Sequence, residues 1–216
     1  MDVDEKWRTI EAQRTVLADL VSALPAQDLD RPSLCECWRI RDVVGHVALA
    51  PRSPGLARIL VAAARARGDF DELNRAMAVD HAERLGADLA AELRAVAASR
   101  RKPAITTLDN LVMDTLVHVQ DVAVPLGVEI VPPFEGAREG ADRAWRMGWP
   151  FWARRRLRGL ELSATDTVWV RGHGDPVRGP IRDLLLLLTG RTATALPHLE
   201  GSGVQWIEAC GTLRRG

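Results

Sequence analysis

The chain has 216 residues, enough for one large domain or two modest ones with a real apolar core. Its 29 Lys+Arg balance its 29 Asp+Glu, and no long basic arm exists, which argues against nucleic acid as a partner. No apolar run is long enough to span a bilayer and no cleavable leader is visible, while three cysteines, an odd number, suit a reducing compartment; the chain is expected in the cytoplasm, without a disulfide framework.

In chain order, Trp7, Ile10, Arg14, Leu17, Val21 and Leu24 recur at three- and four-residue spacings, which predicts an amphipathic first helix stopped by Pro25. A polar loop at 26–36 leads into WRIRDVVGHVALA, a second helix with Ile40, Val43, Val44 and Val47 on one face. PGLARILVAAARAR (54–67) predicts a third helix, and DFDELNRAMA a short helix or turn. Residues 81–99 carry a stripe of Leu85, Leu89, Leu93 and Val96, and a helix follows over 105–124. Another is expected at 136–157, with Trp145, Trp149 and Trp152 as its core stripe.

Beyond about 155 the pattern changes. LELSA and TVWVRG read as strands, HGDPVRG as a hairpin turn, one helix covers roughly 179–190, and GVQWIEAC alternates like a strand. The fold class is therefore mostly α: an antiparallel helical bundle over 1–155, then a small α+β domain over 156–216.

The chemistry concentrates in MDTLVHVQD (113–121). Asp114, His118 and Asp121 fall at i, i+4 and i+7, within an arc of about 60° on a helix flanked by apolar residues. Buried carboxylates are costly unless paired or bound to a cation, and carboxylate with imidazole is a zinc-ligating combination. His46, beside the apolar stripe of the second helix, is the candidate to complete the set. His46, Asp114 and His118 would supply two nitrogens and one oxygen and leave a position for water or substrate. Nickel, iron or manganese would suit the same donors. Spacing alone favours a core histidine hydrogen-bonded to Asp114 or Asp121, with His46 unrelated.

Several stretches together resemble one family. CWRIRDVVGHV (37–47) is similar to the second helix of DinB-like metal-binding bundles, with a Trp followed eight residues later by a His. MDTLVHVQDVAVPLG (113–127) resembles the Glu-x-x-x-His-x-x-Asp helix of their mycothiol-dependent maleylpyruvate isomerase branch. FDELNRAMAVDHAERLGADLAAELRA (70–95), GPIRDLLLLLTGR (179–191) and LEGSGV (199–204) fit the same branch in the same order.

The resemblance implies a DinB-like four-helix bundle and a divalent ion, usually zinc, on His46, Asp114 and His118. Asp114 stands where that family has Glu, and is one methylene shorter. Asp121 then orients an imidazole from outside the ligand set. The implied chemistry has a low-molecular-weight thiol, mycothiol, ionised by the metal. The thiolate adds to a cis double bond of a small substrate, the adduct rotates, and elimination gives the trans product. Arg191, closing the LTGR motif, is the candidate contact for substrate or cosubstrate, with a surface arginine at a helix end as the alternative.

The expected function is a thiol-dependent isomerase or S-transferase acting on a small electrophile. A non-catalytic metal- or ligand-binding protein with a regulatory role is the alternative, and a hydrolase of thiol conjugates the third reading. Cys35 and Cys37 lack a second pair at zinc-finger spacing, so Cys37 is expected to pack at the helix start. His81, His173 and His198 are read as surface or loop residues, and ARRRLR (153–158) as a solvated face.

Overall fold

The computed structural model describes residues 1–52, 70–104 and 106–213, so the helix expected at 54–67 lies outside the described residues. Helices dominate, with one small sheet near the C-terminus, as the sequence pattern predicts. Backbone contacts divide the chain into two compact units, Met1–Ile130 and Val131–Gly216. The change of pattern at 155 falls inside the second.

In the first unit α1 spans Val3–Ser22. Asp2 starts it: its carboxylate accepts from Glu5 N at 2.7 Å while Asp2 N donates to Glu5 Oε2, satisfying two orphan donors of the first turn. α2 spans Ile40–Leu49. Its entry is fixed by Asp42, whose Oδ2 accepts from Arg39 N and Nε at 2.8 and 3.0 Å. α3 spans Phe70–Leu85, α4 Leu89–Val96 and α5 Leu108–Ala123.

The break between α3 and α4 comes at Gly86 (φ 52°), not ahead of His81 as the sequence suggested. A left-handed backbone ends a helix, and glycine takes it at little cost. His81 accordingly sits inside α3 and is buried, correcting its reading as a surface residue. Burial, followed by the charge of Arg84, lowers its pKa.

α1 packs on α4 and α5, and α2 on α3, α4 and α5. The stripes read from the sequence make the shared core: Leu17, Val21, Ile40, Val43, Val44, Val47, Leu89, Leu93, Val119 and Val122 among others. Arg14 belongs to the buried face too, although charged. Its Nη1 lies 3.1 Å from the Ser99 carbonyl and 3.4 Å from those of Val96 and Ala97, where α4 ends and its last carbonyls lack helical partners. Burial lowers the Arg14 pKa to about 10, against the opposing influence of the Asp114 charge.

In the second unit α6 spans Phe134–Arg146 and α7 only Ala153–Arg156. The expected helix over 136–157 is thus interrupted, because Gly148 and Pro150 cannot sustain it. Trp149 and Trp152 are each 51% exposed, so the three tryptophans are not a core stripe.

β1 (Leu160–Ala164) is central, antiparallel to β2 (Val170–Gly172) and parallel to β3 (Asp175–Gly179). HGDPVRG is therefore a crossing plus a strand, not a hairpin turn. The chain passes over the start of β1 at Gly172 (φ 82°) and Gly174 (φ 124°), where a Cβ would collide with the Leu160 and Gly159 carbonyls. α8 (Ile181–Leu188) is buried along nearly its whole length against α6 and the sheet, followed by α9 (Thr192–Ala195).

α10 (Ser202–Leu213) contains GVQWIEAC, expected as a strand. Among its described residues Gly203, Val204 and Ile207 are buried, and Val204 and Ile207 lie at a helical spacing that the apparent alternation concealed.

Candidate metal centre

α5 carries the polar row. Thr107 caps it, Oγ1 accepting from Asn110 N at 3.1 Å. Leu111, Val112, Leu116, Val119 and Val122 bury the helix in the bundle. That burial fixes its rotation, so Asp114 and His118 stand on the side that meets α2. α2 is locked in the same way by Ile40, Val43, Val44 and Val47, and presents His46 across the gap. Gly45 permits the close approach of α2 to α3, for a Cβ there would lie 2.8 Å from the Ala78 carbonyl oxygen.

The three residues meet. His46 Nε2 is 3.4 Å from Asp114 Oδ2, and His118 Nε2 is 3.3 Å from Asp114 Oδ1. The two imidazole centroids are 5.0 Å apart at an interplanar angle of 74°. Trp38, just ahead of α2, walls both rings, edge-on to His46 at 5.6 Å and stacked with His118 at 6.5 Å. Each of the three contributes one donor atom to a cluster within 4.8 Å.

A tetrahedral ion with bonds of roughly 2.0–2.1 Å sets its ligand atoms about 3.3 Å apart. Each imidazole lies at about that distance from its own Asp114 oxygen, and two imidazole nitrogens with a carboxylate are donor types that suit a divalent ion. The shorter Asp114 side chain spans the gap to both imidazoles.

His118 is held from behind as well. Its Nδ1 lies 2.8 Å from Asp121 Oδ2, and Asp121 is fully buried. An ionised carboxylate only accepts, so Nδ1 carries the proton and donates. Nε2 faces a second carboxylate, which also calls for a proton when no ion is present. The His118 pKa accordingly stands well above 6.5: burial alone would lower it, but the Asp114 charge and hydrogen bonds to Asp114, Asp121 and Cys35 prevail. Asp114 is displaced the opposite way. Burial would raise its pKa, yet the charges of His118 and His46 hold it well below the usual carboxylate range.

These shifts set a pH dependence. His118, with its raised value, contributes stability that is complete below 6.5 and lost as pH climbs through the folded pKa. Asp114, depressed, contributes stability that is complete above 3.8 and lost only in strong acid. The metal-free chain should therefore lose thermal stability as pH rises from neutral into the alkaline range. Zinc competes with the Nε2 proton, so its binding should tighten over the same interval. Thermal melts against pH, with and without zinc, check both trends.

Sequence reasoning missed Cys35. Its Sγ donates to Asp121 Oδ2 at 3.0 Å and lies 3.9 Å from His118 Nδ1. The thiol and the imidazole thus share one buried oxygen, and Cys35, His118 and Asp121 form a second cluster of ligand types. Motif spacing gives no signal for this, since a loop fold and not a helical period brings Cys35 there. Cys37 does not pack at the helix start: it is exposed at φ 63°. Asp121→Asn is expected to weaken zinc binding by roughly 10–100-fold by loosening the imidazole; a competitive chelator titration reads it.

Arg191 lies in the second unit, ahead of α9, with Nη1 donating to the Thr189 carbonyl at 2.7 Å. His198, exposed as expected, places Nδ1 3.2 Å from the buried Asp183 carboxylate, and His173 is exposed.

Bundle and cluster together define a class: helical-bundle proteins with an interior His/His/carboxylate set, followed by an α+β unit. The family model of the mycothiol maleylpyruvate isomerase N-terminal domain matches residues 10–123, more than half of the chain, and the chain belongs to that family. Among solved structures, the crystal structure of the mycothiol-dependent maleylpyruvate isomerase matches with a TM-score of 0.58 at 16% identity, covering 94% of this chain and 93% of that one. A histidine-to-alanine mutant of that isomerase matches with a TM-score of 0.55, at the same identity and coverage. At this identity the likeness is one of fold. No curated protein matches the sequence. Among the described residues, no helix is long and apolar enough to cross a membrane.

Proposed function

We propose that this protein is a divalent-metal-binding, thiol-dependent enzyme of the maleylpyruvate isomerase type, an isomerase or S-transferase acting on a small electrophile. Zinc is the ion assigned to His46, Asp114 and His118, and mycothiol the cosubstrate. The supporting observation is the convergence of these three side chains, with one donor atom of each within 4.8 Å of the others, and Asp121 behind His118. It occurs within the region that matches the family.

When bound, the ion would hold a thiol as thiolate near neutral pH while leaving it nucleophilic. The chain's own residues prepare that site. Asp121 keeps the Nδ1 proton of His118, which directs the Nε2 lone pair forward and raises its basicity. Trp38 lies against both imidazoles and narrows the approach on that side. Arg191 is assigned to contact substrate or cosubstrate on the resemblance of its LTGR motif.

The test is metal analysis of protein purified without chelator, then thiol-dependent turnover of maleylpyruvate or a model electrophile. The reading requires about one ion per chain and turnover that needs both ion and thiol. One ion without turnover would make the chain a metal-binding protein only, and no ion would overturn the assignment of the site. Arg191→Ala should raise KM more than it lowers kcat.

A further inference from the structure

The second unit holds a cleft of about 740 Å³ between the end of α6, α7 and the start of β1. Its walls include Arg146, Arg154, Arg155 and Arg158 together with Trp145 and Trp152, and among the described residues no carboxylate lines it, although Arg146 pairs with Asp142 at 3.5 Å. The basic run at 153–158 is divided in its work. Arg156 turns away to α8, where Nη2 donates to the Leu187 and Leu188 carbonyls at 2.8 and 3.1 Å, a helix C-terminus in need of donors. The exposed Arg154, Arg155 and Arg158 stay on the solvated face expected of this run and line the cleft, while Arg156 departs from it.

Trp152 is the second observation. Its backbone is left-handed (φ 47°), a region bulky residues rarely adopt, and its N donates to the Gly148 carbonyl at 2.7 Å. The indole lies on Gly148, where a Cβ would come 3.4–3.7 Å from the ring. The chain thus accepts an unfavourable conformation and leaves the ring 51% exposed beside several guanidinium groups. Local strain of this kind concentrates at ligand sites.

Like charges around a concave surface repel each other and are relieved by an anion. An exposed indole adds a stacking face. We propose that this cleft binds a small polyanion bearing a flat ring, of the nucleoside-phosphate kind: guanidinium groups pair with the phosphates, and the Trp152 indole stacks on the ring. Its volume lies within the range of small-molecule pockets. The balanced charge of the whole chain speaks against a nucleic-acid polymer, because the excess is local to the cleft. The cleft shares no residue with the metal centre, so its occupancy is read independently of the proposed isomerase activity.

Isothermal titration of the whole chain at low salt, with ADP, adenosine and pyrophosphate as separate probes, tests it. ADP should bind at sub-millimolar concentration, and adenosine and pyrophosphate each at least about tenfold more weakly. Trp152→Ala should weaken ADP by about tenfold, with Trp152→Phe restoring most of it. Arg155→Ala combined with Arg158→Ala, both at exposed positions, should cost ADP about tenfold or more and flatten the salt dependence. The proposal is overturned if ADP does not bind, if pyrophosphate equals ADP (a bare cationic patch), or if these variants, folded by circular dichroism, leave ADP binding unchanged.

Discussion

His118→Ala should abolish stoichiometric zinc binding and, with it, thiol-dependent turnover. The loss should exceed the roughly 10–100-fold that removal of an outer contact brings, because a direct donor disappears. The substitution also removes the imidazole partner of the fully buried Asp121 carboxylate. An under-partnered buried carboxylate costs about 1–3 kcal/mol, so stability must be measured alongside binding. His46→Ala separates the two effects. His46 is half-buried and more exposed than His118, so the fold should tolerate its loss better. Zinc titration, urea unfolding and turnover on both variants form the experiment. Full activity in folded His46→Ala would refute the proposed site.

Gly45→Val is expected to have the largest effect on the fold itself. Even a single Cβ at Gly45 would lie 2.8 Å from the Ala78 carbonyl oxygen and 2.9 Å from Ala82 Cβ, closer than real contacts allow. Valine adds two methyl groups to that conflict, and the obstacle is the backbone of α3, not the tip of a flexible side chain. Overpacking of this kind costs about 1–3 kcal/mol, sometimes more, and outweighs the gain of under about 1 kcal/mol from removing a helical glycine. His46 is the next residue, so displacement of α2 should weaken zinc binding as well as lower the urea midpoint. A lower midpoint with unchanged zinc affinity would show that α2 yields without moving His46 relative to α5.

Much of the candidate site was legible because helical periodicity is a strong local rule. Asp114, His118 and Asp121 share a face through 3.6-residue geometry, and the apolar residues beside them say that the face turns inward. His46 was legible by the same rule on α2. What periodicity could not supply was the loop before α2, which folds back so that Leu34 N donates to the Asp121 carbonyl and Cys35 reaches its carboxylate. The misread elements have a common cause as well. GVQWIEAC and the Trp145/Trp149/Trp152 run were judged from side-chain rhythm. In the first, the buried Val204/Ile207 spacing decided for helix; in the second, Gly148 and Pro150 broke it.

By itself the sequence determined the helical class, the apolar stripes, the inward polar row and the family resemblance, since each depends on neighbours a few positions apart. Only the tertiary structure decided that Asp114, despite its shorter reach, meets both imidazoles at 3.3–3.4 Å. It also decided that Cys35 shares the Asp121 oxygen, and that one arginine of the 153–158 run caps a helix while others line a cleft. Those outcomes depend on how closely α2 and α5 approach and where loops return. Such distances are set by packing between elements remote in sequence, and no local pattern encodes them.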